Sequence, residues 1–219
     1  MRAARCTWRS LTLAVLLFPV ASQAQAQPAI TFEESAVVAS GLSPGKTMVF
    51  FGVERRVDAE YSNDLYQRYQ AATVAADGTA RFTLEQPVAL RSIWTAVDLE
   101  TGNFALASPK GYRLARLAAA PSRLVAGSSS GPDEIVDNRG SLMGLVVRPG
   151  VGAWTLAGAD GGPGDADGAS DGRLTLALDK LEPLPGSPAS PAKVGASDLW
   201  FVVDPQRMEV SVQKGGVVQ

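Results

Sequence analysis

The stretch AVVASGLSPGKTMVFFGV, residues 36–53, decides the fold of this chain. It predicts two strands joined by a tight turn, because Pro44 presets φ for the second turn position and Gly45 supplies the positive φ that a type II turn needs next. The arm after the turn, residues 48–53, is almost continuously apolar, which is typical of a strand covered on both faces. Later strand candidates can pack onto these two strands, so we expect the stretch to start a β-sheet core.

Turn and alternation signals predict further strands along the chain. Asp77-Gly78 lies between the strand-like residues 71–75 and 80–84, which predicts a hairpin with a type I′ turn. Residues 54–70 are more polar and predict a long connection into a strand at 69–75, with a short helix as the alternative. Other strand candidates cover residues 30–32, 93–99, 104–107, 142–147, 154–156, 174–178, 199–203 and 208–212.

Short strands separated by turn signals predict an all-β fold, either a sandwich or a barrel. Three segments, GLSPGK before an apolar strand, ADGTARFTL and IWTAVDLETG, resemble the small immunoglobulin-like domains of bacterial exported proteins over residues 29–114. The resemblance implies an immunoglobulin-like β-sandwich followed here by a second β-rich unit. It implies no catalytic residue, because that family has no shared catalytic site. The Cys…Trp…Cys spacing of antibody domains does not occur, so the resemblance concerns architecture alone.

Composition divides the chain into four predicted segments. The first has three arginines, an apolar run at residues 11–20 and the cleavage pattern Ala24-Gln25-Ala26, which together indicate a secretory signal peptide. The segment AAAPSRLVAGSSSGPD is small and polar, which predicts a linker or surface loop. The predicted segments are a signal peptide at 1–26, an immunoglobulin-like sandwich at 27–117, a linker or loop at 118–133 and a second β-rich unit at 134–219.

Export and charge limit the classes of partner. The apolar run of the signal is shorter than the roughly 20 residues that span a bilayer, and no second run approaches that length. We therefore expect a periplasmic or secreted protein with no membrane span in the mature chain. Cys6, the only cysteine, leaves with the signal, as do three of the 20 basic residues, so 17 basic residues remain against 22 acidic ones. A mature net charge of about −5 argues against nucleic acid as a partner.

The residue types present exclude several kinds of active site. The chain has no histidine, and the mature part is expected to have no cysteine. A Ser-His-Asp triad, a Cys-His pair and a histidine-bound zinc ion are therefore excluded. Carboxylate pairs, Ser-Lys chemistry and metals bound by oxygen ligands remain.

An Asp/Gly-rich segment at residues 158–172 is the candidate metal site. Carboxylates are the ligands that calcium prefers, and glycines let a backbone wrap around an ion. The spacing is not that of an EF-hand loop, because Ser170 occupies the position of the required glycine. The sequence favours a solvated hairpin loop, with a calcium-stabilised loop as the alternative, so the expected cofactor is none or, in the alternative, calcium. The four candidate ligands are Asp160, Asp165, Asp167 and Asp171.

Two functions fit these observations. The sequence favours an exported, non-catalytic binding or structural module, with a glycan or another cell-envelope component as its candidate ligand. The alternative is a carboxylate-dependent hydrolase acting on glycans. A pair of buried acids in a deep cleft would favour the hydrolase, whereas a flat exposed aromatic face would favour the binding module. Core packing is expected for the three mature tryptophans, and a binding face would need two of them exposed beside a tyrosine. These residues are Trp94, Trp154, Trp200, Tyr61, Tyr66 and Tyr69.

Overall fold

The computed structural model describes residues 28–57, 63–110, 114–116, 122–125, 134–137, 141–162, 164–172, 174–204 and 207–215. The predicted signal peptide and Tyr61 lie outside these residues, as does most of the predicted linker at 118–133. Within them the chain forms sixteen β-strands and one 3₁₀ helix, Leu178–Lys180, and no α-helix. The predicted all-β class is therefore confirmed.

The strands are numbered in chain order. In the first half they are β1 (Ala29–Glu33), β2 (Ala36–Ser40), β3 (Thr47–Val57), β4 (Asn63–Thr73), β5 (Ala80–Thr83), β6 (Ser92–Asp98), β7 (Phe104–Ala107) and β8 (Leu114–Arg116). In the second half they are β9 (Ser122–Val125), β10 (Glu134–Asp137), β11 (Ser141–Arg148), β12 (Gly152–Ala159), β13 (Leu174–Ala177), β14 (Glu182–Pro183), β15 (Leu199–Asp204) and β16 (Glu209–Lys214). β9 lies within the predicted linker, whose composition did not indicate a strand.

The strands form four sheets, which we number 1 to 4. Sheet 1 has the order β1-β2-β5, and sheet 2 has the order β4-β3-β6-β7. Sheet 3 has the order β14-β12-β11-β15-β16-β8, and sheet 4 has the order β13-β10-β9. Neighbouring strands are antiparallel except β16 and β8, which are parallel. Sheets 1 and 2 come wholly from the predicted first unit, and sheets 3 and 4 come mainly from the second.

β3 is buried on both faces, as its apolar run predicts. Alternate residues of a strand point to opposite faces of the sheet. Met48 and Phe50 belong to the core between sheets 1 and 2, whereas Phe51 and Val53 belong to the core between sheets 2 and 3. All four side chains are at most 1% exposed. Burial on both faces explains why residues 48–53 contain no charged side chain.

Three hydrophobic cores join the four sheets into a stack. One core lies between sheets 1 and 2, the next between sheets 2 and 3, and the third between sheets 3 and 4. The central strands β6 and β15 are buried at every residue, as strands of inner sheets must be. Since sheet 2 belongs to the predicted first unit and sheet 3 mainly to the second, the two units share the middle core. The core between sheets 1 and 2 includes Phe50 and Phe82. The middle core includes Phe51 and Phe201, and the core between sheets 3 and 4 includes Leu176 and Trp200.

The predicted turn at residues 43–46 is confirmed, but it joins strands of different sheets. The Lys46 N–H donates to the Ser43 carbonyl at 3.4 Å, and Gly45 has a φ of +78°. β2 pairs with β1 and β5, whereas β3 pairs with β4 and β6. The stretch at 36–53 therefore crosses from sheet 1 to sheet 2.

The hairpin predicted around Asp77-Gly78 is wrong. The chain does turn there, because Gly78 has a φ of +77° and its N–H donates to the Ala75 carbonyl at 3.0 Å. Among the described residues Met208 is the one non-glycine with positive φ, so Asp77 lacks the conformation that a type I′ turn needs. The flanking strands β4 and β5 lie in different sheets. A tight turn reverses the chain, but packing decides whether its two arms pair.

The long connection predicted at residues 54–70 is also wrong. β3 and β4 form one continuous antiparallel pair, with Thr47 opposite Thr73 and Val57 opposite Asn63. The polar character of β4 reflects its place at the edge of sheet 2, where a strand is covered less completely than its neighbours. Residues 63–73 show no strict apolar/polar alternation, so this strand follows from its pairing with β3 and not from a local sequence pattern.

Candidate functional site

A cleft opens where the outer edge of sheet 2 lies beside sheets 3 and 4. Its volume is about 380 Å³, within the range of roughly 300 to 1,000 Å³ that small-molecule sites occupy. Its polar lining comes from Gln67 and Tyr69 on β4, Thr155 on β12, Lys180 at the end of the 3₁₀ helix and Glu182 on β14. We call this site the β4 cleft. Its apolar lining is Leu156, Ala157, Gly164, Leu176, Ala177 and Leu181.

The register of β4 decides which of its side chains face the β4 cleft. Tyr69 lies opposite Phe51 on β3, and Gln67 lies opposite Val53. Directly opposed residues in a sheet point to the same face, and Phe51 and Val53 face sheet 3. Tyr66 is out of phase with them and faces the other side of sheet 2. Tyr69 is 45% exposed and Tyr66 is 37% exposed, so β4 presents one tyrosine on each face.

The rim of the β4 cleft carries two opposite charges. Lys180 and Glu182 are both exposed, and they are the only charged side chains among the described residues that line the cleft. The hydroxyl of Thr155 donates to the Glu182 carbonyl at 3.5 Å, a long contact between β12 and β14. The cleft therefore offers hydrogen-bonding groups of both kinds with no net charge.

The tryptophans lie in the cores, as predicted. Trp94, Trp154 and Trp200 are 0%, 1% and 3% exposed. The Trp94 indole N–H donates to the Ser92 hydroxyl at 3.0 Å, and the Trp154 indole N–H donates to the Pro188 carbonyl at 2.9 Å. Binding through these three tryptophans is therefore excluded, and Tyr69 is the aromatic side chain that the β4 cleft presents.

Glu54 is a buried carboxylate on the opposite side of sheet 2 from the β4 cleft. It is 0% exposed, and its Oε2 accepts from Arg56 Nη2 at 3.0 Å. Arg68 Nε lies 3.6 Å from the same oxygen, and the Arg68 guanidinium stacks over the ring of Tyr66 at 5.1 Å. Two guanidinium groups compensate this charge, whereas Glu54 Oε1 has no hydrogen-bond partner among the described residues. Glu54 links Arg56 and Arg68 on this face of sheet 2 and takes no part in the cleft.

Asp198 is a second buried carboxylate, and it anchors a proline-rich segment to sheet 3. Arg148 on β11 donates to it twice, from Nε to Oδ1 at 2.7 Å and from Nη2 to Oδ2 at 2.9 Å. The Gly195 N–H donates to Oδ2 at 2.7 Å. Hydrogen bonding to Asp198 raises the pKa of Arg148 further above its ordinary value. Bidentate pairs of this kind fix geometry, which indicates a structural role.

Among the described residues, two more acids are buried, Asp98 and Asp204, and both bind nearby backbone. Asp98 accepts from the N–H groups of Glu100 and Thr101 at 2.8 Å and 3.2 Å, and Asp204 accepts from the Arg207 N–H at 3.0 Å. The β4 cleft and two further cavities formed by described residues are each lined by at most one carboxylate. None of these three cavities brings together the paired acids that would favour a hydrolase.

The Asp/Gly segment is a loop between β12 and β13, and its carboxylates accept hydrogen bonds from its own backbone. Asp160 accepts from the N–H groups of Asp171 and Gly172 at 3.1 Å and 2.9 Å. Asp165 accepts from Gly161 at 2.9 Å and from Thr175 at 3.1 Å. These two backbone hydrogen bonds lower the pKa of Asp165 below its ordinary value.

The other two candidate ligands of that loop are exposed. Asp167 accepts from the Ala169 N–H at 2.9 Å, and Asp171 contributes its backbone N–H to Asp160. Within the described ranges no three His, Cys, Asp or Glu side chains form a group that could hold a metal ion. Calcium binding by this loop stays a prediction.

A second cleft lies at the junction of sheets 2 and 3, with a volume of about 560 Å³. Asn103 and Phe104 form one side, and Pro149, Leu199 and Lys214 form the other. The ring of Phe104 also meets that of Phe201 edge-on, with centroids 5.1 Å apart. This cleft shows that surfaces, as well as a core, are built jointly by the two predicted units.

The sequence predicted part of the β4 cleft. Tyr69 was named as a candidate aromatic contact, but Gln67, Lys180 and Glu182 were missed. No apolar/polar alternation along residues 63–73 marks Gln67. Its place beside Tyr69 follows only once β4 is known to be a strand, because residues two apart then share a face. No local signal marks Lys180 or Glu182, because they reach the cleft through contacts between distant parts of the chain.

Comparisons with known proteins add little to this picture. No protein-family model and no curated protein matches the chain. A solved structure, described as a tetra-tandem repeat in the extending region of a large adhesion protein, is similar with 11% sequence identity and a TM-score of 0.24. The alignment covers 88% of this chain and 49% of that one, so this chain spans about half of its length. A similarity of this size carries no functional argument.

One further observation concerns membranes. Across the described residues, no helix has the length and apolar character needed to cross a bilayer.

Proposed function

We propose that this chain is a non-catalytic binding module that works outside the cytoplasm. The observation that carries the proposal is the β4 cleft, where the partly exposed Tyr69 and the polar side chains Gln67 and Thr155 converge. A concave site with a few polar groups on a rigid scaffold is the usual form of a ligand site. The location rests on the signal peptide expected at residues 1–26.

The framework beneath the cleft supports binding without a large rearrangement. Tyr69 and Gln67 are placed by regular pairing with β3, whose residues Phe51 and Val53 are at most 1% exposed. A binding site whose backbone is already ordered loses less conformational entropy when a ligand arrives. The β4 cleft is therefore a preformed site.

The first two sheets support an immunoglobulin-like architecture as part of the proposal. They contain seven strands, three in sheet 1 and four in sheet 2. Seven antiparallel strands in two packed sheets are also the composition of constant-type immunoglobulin domains. Such sandwiches serve many unrelated functions, so this architecture supports a scaffold for binding and identifies no ligand.

A carboxylate-dependent hydrolase has less support. Glycoside hydrolysis needs two carboxyl groups about 5 to 10 Å apart on either side of the substrate. Glu182 is the one carboxylate among the described residues that line the β4 cleft. The buried carboxylates Glu54 and Asp198 are held by arginines.

The test is a combined binding and turnover assay on the mature chain, residues 27–219. We expect the chain to sediment with isolated bacterial cell envelopes and to release no reducing sugar from their glycans. Failure to sediment with any envelope fraction would contradict the binding proposal. Release of reducing ends that is abolished in Glu182→Gln would establish the hydrolase instead.

A further inference from the structure

We propose that the β4 cleft binds an uncharged carbohydrate, with Tyr69 as the surface on which a sugar ring lies. This inference names the ligand class for the binding module proposed above and rests on that function. It is argued from the aromatic ring, from the neutral polar lining and from the charge balance of the rim.

Tyr69 supplies the apolar contact that a sugar needs. One face of a pyranose ring carries mainly C–H groups, which pack against the electron-rich face of an aromatic ring. Tyr69 is 45% exposed while its neighbours across the ladder are buried, so its ring stands at the mouth of the cleft on a fixed backbone. A tyrosine also has a hydroxyl that can bind water or ligand at the open end.

Gln67 supplies hydrogen-bonding groups of both kinds, because a side-chain amide offers two donors and an acceptor oxygen. Thr155 is 4% exposed and its hydroxyl donates to the Glu182 carbonyl, so it adds an acceptor only. Sugar hydroxyl groups also do both, so they match such a lining better than a ligand with acceptors alone. Gln67 lies two residues from Tyr69 on the same face of β4, which places the amide beside the ring.

The two rim charges favour a ligand with no net charge. Lys180 attracts an anion and Glu182 repels it, and the reverse holds for a cation. A phosphate or a carboxylate ligand would therefore gain little Coulomb energy here, whereas hydroxyl groups can donate to Glu182 and accept from Lys180. Charge-assisted hydrogen bonds of this type are stronger than neutral ones.

The experiment is an NMR titration of the ¹⁵N-labelled mature chain with three uncharged disaccharides: chitobiose, cellobiose and maltose. We expect at least one of them to give saturable shifts in the millimolar range, centred on the amides of β4 and β14. Tyr69→Ala should weaken binding about tenfold, the scale of one aromatic contact. Tyr69→Phe should retain most of the affinity, because it keeps the ring.

Tyr66→Ala is the matched control. Tyr66 lies on the same strand with similar exposure, 37%, but on the opposite face, so its removal should leave sugar binding unchanged. The proposal is overturned if none of the disaccharides shifts the cleft amides, or if Tyr69→Ala and Tyr66→Ala bind equally well. Stronger shifts at the cleft with dialanine or with inorganic phosphate would also overturn it.

Failure of this inference can be told apart from failure of the binding module. If Tyr69→Ala still sediments with cell envelopes as the unchanged chain does, the module stands and the assignment of the β4 cleft falls. If the unchanged chain does not sediment with envelopes at all, the proposed function falls first.

Discussion

Gly52 on β3 lies directly under the indole ring of Trp94 on β6. The two residues are paired across the ladder, and a Cβ at position 52 would come within 2.5 Å of two ring carbons. Glycine is therefore required here by the ring that packs against it, in the core shared by sheets 1 and 2.

Gly52→Ala should destabilise the protein. The added methyl must displace Trp94, which is 0% exposed, and overpacking of this kind costs about 1 to 3 kcal/mol. Urea unfolding followed by circular dichroism measures this cost. Trp94→Leu frees space over the glycine, so Gly52→Ala should cost less in that background. An equal cost in both backgrounds would show that the ring is not the cause.

Asp198→Ala should be strongly destabilising. The change leaves Arg148 without its bidentate partner and removes the acceptor of the Gly195 N–H. Breaking a buried ion pair costs about 3 to 5 kcal/mol. We expect the lower end, because the side chain of Arg148 is 26% exposed. Denaturant unfolding measures the loss.

The exposed pair of Glu33 and Arg81 is the control for that substitution. Both of its side chains are 51% exposed, and ion pairs in water contribute little. Glu33→Ala should leave the unfolding midpoint nearly unchanged. Similar losses for Asp198→Ala and Glu33→Ala would contradict the assignment of Asp198 as a buried anchor.

The Asp/Gly loop should loosen in acid. Backbone hydrogen bonds from Gly161 and Thr175 lower the pKa of Asp165 in the folded protein below its ordinary value of 3.8. A lowered folded-state pKa gives stability that is complete above the ordinary value and is lost as pH falls through the lowered one. The amide signals of Gly161 and Thr175 should therefore shift together at a pH below 3.8.

Asp165→Asn is the control for the acid titration, because an amide side chain does not titrate. In that variant the two amide signals should lose this acid-dependent step. A step that persists in Asp165→Asn, or a midpoint above 3.8 in the unchanged chain, would contradict the assignment.

Calcium binding by the loop has its own test. The alternative interpretation of the loop, a calcium site, predicts that calcium raises the melting temperature of the mature chain relative to chelator, because a ligand that binds the native state alone must stabilise it. The carboxylate of Asp160 already accepts from the amides of Asp171 and Gly172, and the remaining lone pairs of its oxygens are the ones that could coordinate calcium. An unchanged melting temperature across millimolar calcium would remove the prediction.

Local signals in the sequence predicted buried strands and turns, because these features depend on residues close together in the chain. The apolar run on β3 indicated a strand buried on both faces, and Gly45 and Gly78 marked two real turns. Strand partners were not predictable in the same way, because the turn after β4 leads into another sheet. Pairing depends on which faces pack together, and that is a property of distant parts of the chain.

The residues of the β4 cleft likewise divide into those that local sequence could predict and those placed by packing between distant parts of the chain. Tyr69 could be named from its residue type, and its face follows from the period of a strand. The partners Lys180 and Glu182 lie far along the chain and approach Tyr69 only because sheet 2 stacks on sheet 3. Sequence patterns record which side chains are buried, but they do not record which buried surfaces meet.

The central claim is that packed cores join the four sheets, and tryptophans labelled with ¹⁹F test it directly. Trp94 reports the core between sheets 1 and 2, and Trp154 and Trp200 report the core between sheets 3 and 4. Because sheets 2 and 3 share the middle core, their unfolding should be coupled. During urea unfolding of the mature chain, the three ¹⁹F signals should lose native intensity with one common midpoint. A midpoint for Trp94 clearly separate from those of Trp154 and Trp200 would contradict the account.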